Sequence, residues 1–157
     1  MPTQEYLYRY RAPGVENNVC KKCNLEKDTI EHCLYDCECI QIFLDLLKTW
    51  IREELTLNYF ELTMQSFIFG NVNKLGINKG LEHILLEAKK FLFYDFTIQN
   101  HLNNQLLFTS FKNKIKNLII IEKKIAFHKN KMEQFEKKWE FCAINFFNFV
   151  EPDLDTV

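Results

Sequence analysis

The stretch CKKCNLEKDTIEHCLYDC, residues 20–37, decides how the rest of the chain is read. It spells Cys-x2-Cys-x8-His-x4-Cys, with Cys20, Cys23, His32 and Cys37 in the four places. A Cys-x2-Cys turn sets two thiolates side by side. A His and a Cys further along can close a tetrahedron around one Zn²⁺. Four protein ligands leave no open position for water or substrate, so the pattern predicts a structural site rather than a catalytic one. A lone Cys-x2-Cys would equally fit a redox pair or two buried thiols; four donors within one short, polar segment are more specific. The competing reading is a set of free structural cysteines. Asp28 or Thr29 can cap the helical turn that carries His32. Cys33, next to His32, is expected to point away. Cys39 competes with Cys37 for the fourth place, which the spacing gives to Cys37. Cys142, in an aromatic stretch, reads as a buried apolar residue.

CKKC, then TIEHCLYDC, then a run ending LLKTWI resembles the zinc-binding segment that follows the polymerase domain in LINE-type, non-LTR retrotransposon reverse transcriptases. Thr29-Ile30-Glu31-His32 and Leu34-Tyr35-Asp36-Cys37 match that family's pattern. Trp50 falls later than the family's usual Trp, and Phe43 stands near that place. SFIFGNVNK is similar to the family's Leu-Phe-Gly turn, and LLEAKKFLFYDF to the helix after it. The resemblance spans roughly residues 10–140 and is strongest over the knuckle. It implies a non-catalytic accessory part that helps hold RNA, or an RNA–DNA assembly, beside a reverse transcriptase polymerase domain. The polymerase's paired Asp and an endonuclease set of acidic and His residues are not present in the sequence, so the chain is not expected to be an enzyme. With Met1 at its start, the chain would be either a piece of a retroelement or a separate gene derived from one.

The composition bounds the alternatives. A hydrophobic fraction of 47% with 15 Phe can build a core. The net charge of −1 argues against a strongly basic, freestanding nucleic-acid binder. The N-terminus, MPTQEYLYRY, has no apolar signal region, and no run approaches a membrane span, so no membrane partner is expected. Six Cys without a secretion signal point to a reducing, intracellular setting, cytoplasm and nucleus.

Along the chain, residues 1–19 read as an arm. Tyr6, Tyr8 and Tyr10 alternate, which predicts an extended segment whose rings, with Arg9 and Arg11, could meet unpaired bases; packing of the arm on the knuckle is the plainer expectation. Residues 20–54 are the knuckle and a packing helix from about 38, with Ile40, Phe43, Leu44, Leu47 and Ile51 on one face. Residues 55–80 connect, Phe67, Phe69 and Gly70 suggesting a buried turn or strand and 70–80 a loop. Residues 81–149 form a helical domain. One helix is expected over 81–100, buried through Leu81, Ile84, Leu85, Ala88, Leu92 and Phe96. HLNNQ at 101–105 is the break, and a long helix, or two broken near His128 to Asn130, follows to about 148. Residues 150–157 are an acidic tail.

Charge gathers in the last helices. From Lys112 to Lys138 there are nine Lys and three Glu. Ile115, Leu118, Ile121, Ile125, Met132 and Phe135 are expected on one side, with Lys112, Lys116, Lys123, Lys124, Lys131 and Lys138 roughly opposite. Such a face is either the solvated side of an amphipathic helix or a track for a phosphate backbone. His83 and Glu87 stand one helical turn apart, but no His-Glu-x-x-His is present, so no catalytic metal is expected there. The sequence therefore predicts a mainly α protein, a small N-terminal zinc knuckle followed by a helical bundle. Its expected cofactor is structural Zn²⁺ and its expected partner RNA or single-stranded nucleic acid. The other reading is a zinc-stabilised protein–protein interaction module that binds no nucleic acid.

Overall fold

The structure is a computed structural model that describes residues 2–55, 57, 60–70, 79–95 and 103–140. Its helices are α1 (Gln4–Arg9), α2 (Glu38–Glu53), α3 (Met64–Phe69), α4 (Lys79–Lys90), α5 (Asn104–His128) and α6 (Met132–Trp139). A single wide turn, His32–Asp36, leads into α2, and a second, Phe91–Asp95, extends α4. The protein is mainly α, and the Cys/His cluster lies in its N-terminal region.

The core is built where apolar residues recur every three or four positions. Helix α2 buries Ile40, Phe43, Leu44, Leu47, Trp50 and Ile51, so the face read from the sequence is the face that packs. Helix α4 buries Leu81, Ile84, Leu85 and Ala88, and the turn after it adds Phe91 and Leu92. Helix α5 lies across α2 and contributes Leu107, Phe108, Phe111, Ile115 and Ile119. Rings dominate the junction. Phe43 stacks on Phe91 at 5.5 Å between centroids and meets Phe108 and Phe111 edge-on at 5.5 and 5.4 Å. Trp50 approaches both Phe108 and Phe111 at 6.2 Å. Each such pair is worth ~0.5–1.5 kcal/mol beyond the area it buries. Cys20, Leu34 and Cys37 belong to the same buried cluster as Trp139. The knuckle therefore rests on the bundle's core instead of standing apart from it.

Three local expectations are corrected. The arm is not extended: Gln4–Arg9 is a helix, its first turn capped by Thr3 Oγ1 accepting from Tyr6 N at 3.3 Å and by the Asp28 carboxylate accepting from Gln4 N at 2.6 Å. Tyr6 and Tyr10 then share one helical face, 4.7 Å apart. The segment with Phe67 and Phe69 is also helical. Thr63 Oγ1 accepts from Ser66 N at 3.1 Å while Ser66 Oγ accepts from Thr63 N at 3.0 Å, a reciprocal cap. Gly70 ends that helix at φ +67°, a left-handed conformation that glycine adopts without penalty. Finally, Ile121 and Ile125 are 57% and 48% exposed. At 3.6 residues per turn Phe108, Phe111, Ile115 and Ile119 stay in line, whereas Ile121 and Ile125 rotate off that face.

The break between the last helices falls at Lys129–Lys131, where Asn130 takes φ +52°, close to the expected position. Of HLNNQ, Asn103 caps α5 and Asn104 and Gln105 begin it; His101, Leu102, Phe96, residues 71–78, Cys142 and the acidic tail lie outside the described residues.

Candidate metal centre

The knuckle is held by a few backbone bonds. Val19 and Lys27 form an isolated antiparallel bridge. Cys20 N donates to Glu26 O, and Asn24 N to Cys20 O, both at 2.8 Å. Asn24 turns the chain after Cys23 at φ +56°, a conformation Asn tolerates better than most side chains. Asp28 N donates to Asn18 O at 2.8 Å. Thr29 caps the next turn, its Oγ1 accepting from His32 N at 3.0 Å; Asp28 serves α1 instead.

The wide turn explains why a His-x4-Cys spacing can work. On a regular α-helix, residues five apart point about 140° from each other. Here Cys37 N donates to His32 O at 2.9 Å, an i→i+5 bond that widens the turn and brings the two residues under one another. Cys37 is then the N-cap residue of α2.

The outcome is one donor group: Cys20, Cys23 and Cys37 Sγ and a His32 ring nitrogen all lie within 4.8 Å of one another. Cys23 Sγ stands 3.3 Å from His32 Nε2. Bonds of about 2.3 Å to sulfur and about 2.0 Å to nitrogen set tetrahedral edges of roughly 3.5–3.8 Å, so the donors have the size that one ion bridges. These four residues could hold a metal ion. None of the five described cysteines is in a disulfide. Cys20 and Cys37 are fully buried, while Cys23 and His32 are half-buried and border an open hollow shared with Glu26, Asp36 and Glu38.

The sulfurs are charged unequally. The hydrogen bond from the Cys37 thiol, helped by the backbone N–H groups of Cys23 and Lys22, outweighs burial and lowers Cys20 to about 4. The same bond to the Cys20 thiolate, together with burial, pushes Cys37 up. The Cys20–Cys37 pair thus shares a proton, which a cation bound by both sulfurs would displace. The other two cysteines stand outside the group. Cys33 Sγ is 2.8 Å from Lys22 Nζ, and burial raises its thiol. Cys39 Sγ donates to Lys22 O at 3.4 Å.

The expected basic contacts are dispersed. Arg9 pairs with Glu5 at 3.1 Å one turn away, and Arg11 is exposed at φ +50°. Lys112 pairs with Glu54 at 2.7 Å and lies over the Trp50 ring. Lys138 reaches Glu122 at 2.9 Å and His83 Nδ1 at 2.7 Å. Lys116 and Lys123 are half-buried; Lys124 and Lys131 are exposed. Among the described residues no ion pair engages Lys123, Lys124 or Lys131.

Sequence reasoning missed a polar junction between α4, α5 and α6. Glu122 accepts from both Lys138 Nζ and Trp139 Nε1, the latter at 3.0 Å, and lies 3.3 Å from His83 Nδ1. Buried Glu87 is bonded by Lys90 at 2.6 Å. Only the His83–Glu87 spacing hinted at it.

Compared with known protein families, characterised proteins and solved structures, the chain has no match. No described helix is long and apolar enough to cross a membrane.

Proposed function

We propose that the protein is a zinc-stabilised, non-catalytic module that holds RNA or a single strand on its basic helical surface, as the resemblance to the retrotransposon segment implies. The observation that carries the reading is the clustering of Cys20, Cys23, His32 and Cys37. Three thiolates and an imidazole suit Zn²⁺ and leave no position for an activated water. The ion's work is structural. Contact with nucleic acid falls to Lys123, Lys124 and Lys131, with Lys116, Arg9 and Arg11 at the margins; Lys112 and Lys138 are committed to Glu54 and Glu122. Free thiols suit a reducing, intracellular setting, cytoplasm or nucleus.

The test is zinc analysis of the purified chain together with binding of single-stranded RNA across salt. About one zinc per chain is expected. Each phosphate contact contributes about 0.7 to the salt slope, so four or five contacts cost about a hundredfold in affinity between about 50 and 200 mM salt. Changing Lys123, Lys124 and Lys131 together to Gln lowers affinity and slope and leaves zinc content intact. Binding that ignores salt sinks the RNA reading.

A second reading, a protein-interaction module that docks on a partner such as a polymerase domain, is favoured by an open apolar groove of about 310 Å³. It is bordered by Ile30, Phe69 and Leu86, all exposed. It takes first place if the chain binds no RNA at low salt.

A further inference from the structure

The segment KKIAFHKNK, residues 123–131, carries four Lys and one His and no acidic residue. It forms the last turn of α5 and the corner into α6. At its centre Phe127 is 64% exposed, and among the described residues the one aromatic ring it meets is that of His128, edge-on at 5.9 Å. Lys123 and Lys124 stand four and three residues before it, the two spacings that make helical side chains neighbours. Lys129 and Lys131 follow directly, on a corner fixed by Asn130 N donating to Phe127 O at 3.1 Å and Lys131 N to Ala126 O at 2.8 Å. Lys124, Lys129 and Lys131 are exposed. The carbonyl end of α5 attracts cations by itself, but that attraction accounts for no aromatic ring in their midst.

We propose that Phe127 is a stacking platform for one unpaired base of a single-stranded nucleic acid whose flanking phosphates meet Lys123, Lys124, Lys129 and Lys131. The inference rests on the nucleic-acid reading above and adds what the lysines alone cannot supply. Phosphate contacts grip any polyanion, duplex included, whereas an aromatic face needs a base that has left its stack. The charge complementarity lies in a basic segment that no acidic residue interrupts, and the backbone bonds of the corner place Phe127 among its lysines. Bases of every kind offer a π-face, so the platform selects single strands over duplexes without selecting sequence.

The test uses the full chain loaded with zinc, an oligouridine strand, the same strand with abasic sites, and a duplex of equal length. Phe127→Ala is expected to weaken oligouridine binding by about tenfold, the scale of one lost base stack, at an unchanged salt slope. Phe127→Trp keeps or tightens binding. The abasic strand binds wild type and Phe127→Ala alike. Because Phe127 is exposed, both variants keep the wild-type circular dichroism and melt. Equal oligouridine affinity for wild type and Phe127→Ala, with the lysine-dependent salt slope intact, overturns the platform and leaves the nucleic-acid reading standing. No salt-dependent binding by wild type overturns both. Loss of self-association in Phe127→Ala, with RNA affinity unchanged, would assign the ring to a contact with a second copy and overturn the proposal.

Discussion

The knuckle and the aromatic junction hold their shape by opposite means. Between Asn18 and Cys37 the chain is fixed by one bridge and a handful of backbone bonds, around four donors that could hold a metal ion. Among α2, α4 and α5 it is fixed by Phe43, Trp50, Phe91, Phe108 and Phe111 packed ring to ring. The first region has charge and geometry but little apolar area of its own; the second has area and no need of an ion. They nevertheless share one buried cluster through Cys20, Leu34 and Cys37. An ion held by the four donors would therefore fasten a polar segment to a core built of rings.

The sharpest way to break the comparison is to remove the ion that the four donors would hold. Structural zinc supplies on the order of 10 kcal/mol to small sites. Cys23→Ser, or a strong chelator, is expected to release the metal and unfold the segment through Cys37. Most helical circular dichroism should survive. Hydrogen exchange read by mass spectrometry checks it, with loss of protection over 18–37 and retention over α5. Uniform loss across the chain would show that the junction cannot stand alone.

The converse change attacks the rings. Phe43 is fully buried and touches three other rings, so Phe43→Ala is expected to cost about 3–5 kcal/mol. Chemical denaturation of the zinc-loaded protein measures it, and zinc stoichiometry under native conditions should hold at one. A variant that loses metal as readily as Cys23→Ser would mean that the core shapes the donor set.

The smallest effect comes from acid at the polar junction. Burial, with Lys138 close by, lowers the pKa of His83 from its usual value. Glu122 and Glu87 oppose that shift, and Lys90 adds to it. A base whose folded pKa is depressed binds fewer protons folded than unfolded, so stability rises with pH across the interval. The contribution is complete above the unfolded value of about 6.5 and is lost as pH falls through the folded one. A modest drop in melting temperature below about pH 6.5, reduced in His83→Gln, is expected; an equal drop in both proteins would assign the acid response to other groups.

What the sequence made legible follows the range of the interactions. The donor spacing is local, and Cys20, Cys23, His32 and Cys37 do converge. The buried face of α2 is local too, because one helical period displays it. Helix α3 carries local signals in Thr63, Ser66 and Gly70, which the reading of Phe67, Phe69 and Gly70 as a buried turn or strand did not use. The helical arm had one local signal, the N-cap Thr3, while its second cap, Asp28, is distant in sequence and could not be read from spacing. Nor could spacing show that Lys112 and Lys138 would find Glu54 and Glu122, which come from other elements. Long-range pairs decide which lysines of a basic run are committed.

The wide turn at His32–Asp36 has one more consequence. Because Cys37 caps α2 while Cys20 opens the hairpin, an ion held by both would be a clasp across a loop of eighteen residues. Cross-links over loops of about 15 residues remove roughly 3 kcal/mol of chain entropy from the unfolded state. The clasp would thus act on the unfolded chain as much as on the folded one, by restricting how far the first residues of α2 can stray from the start of the knuckle.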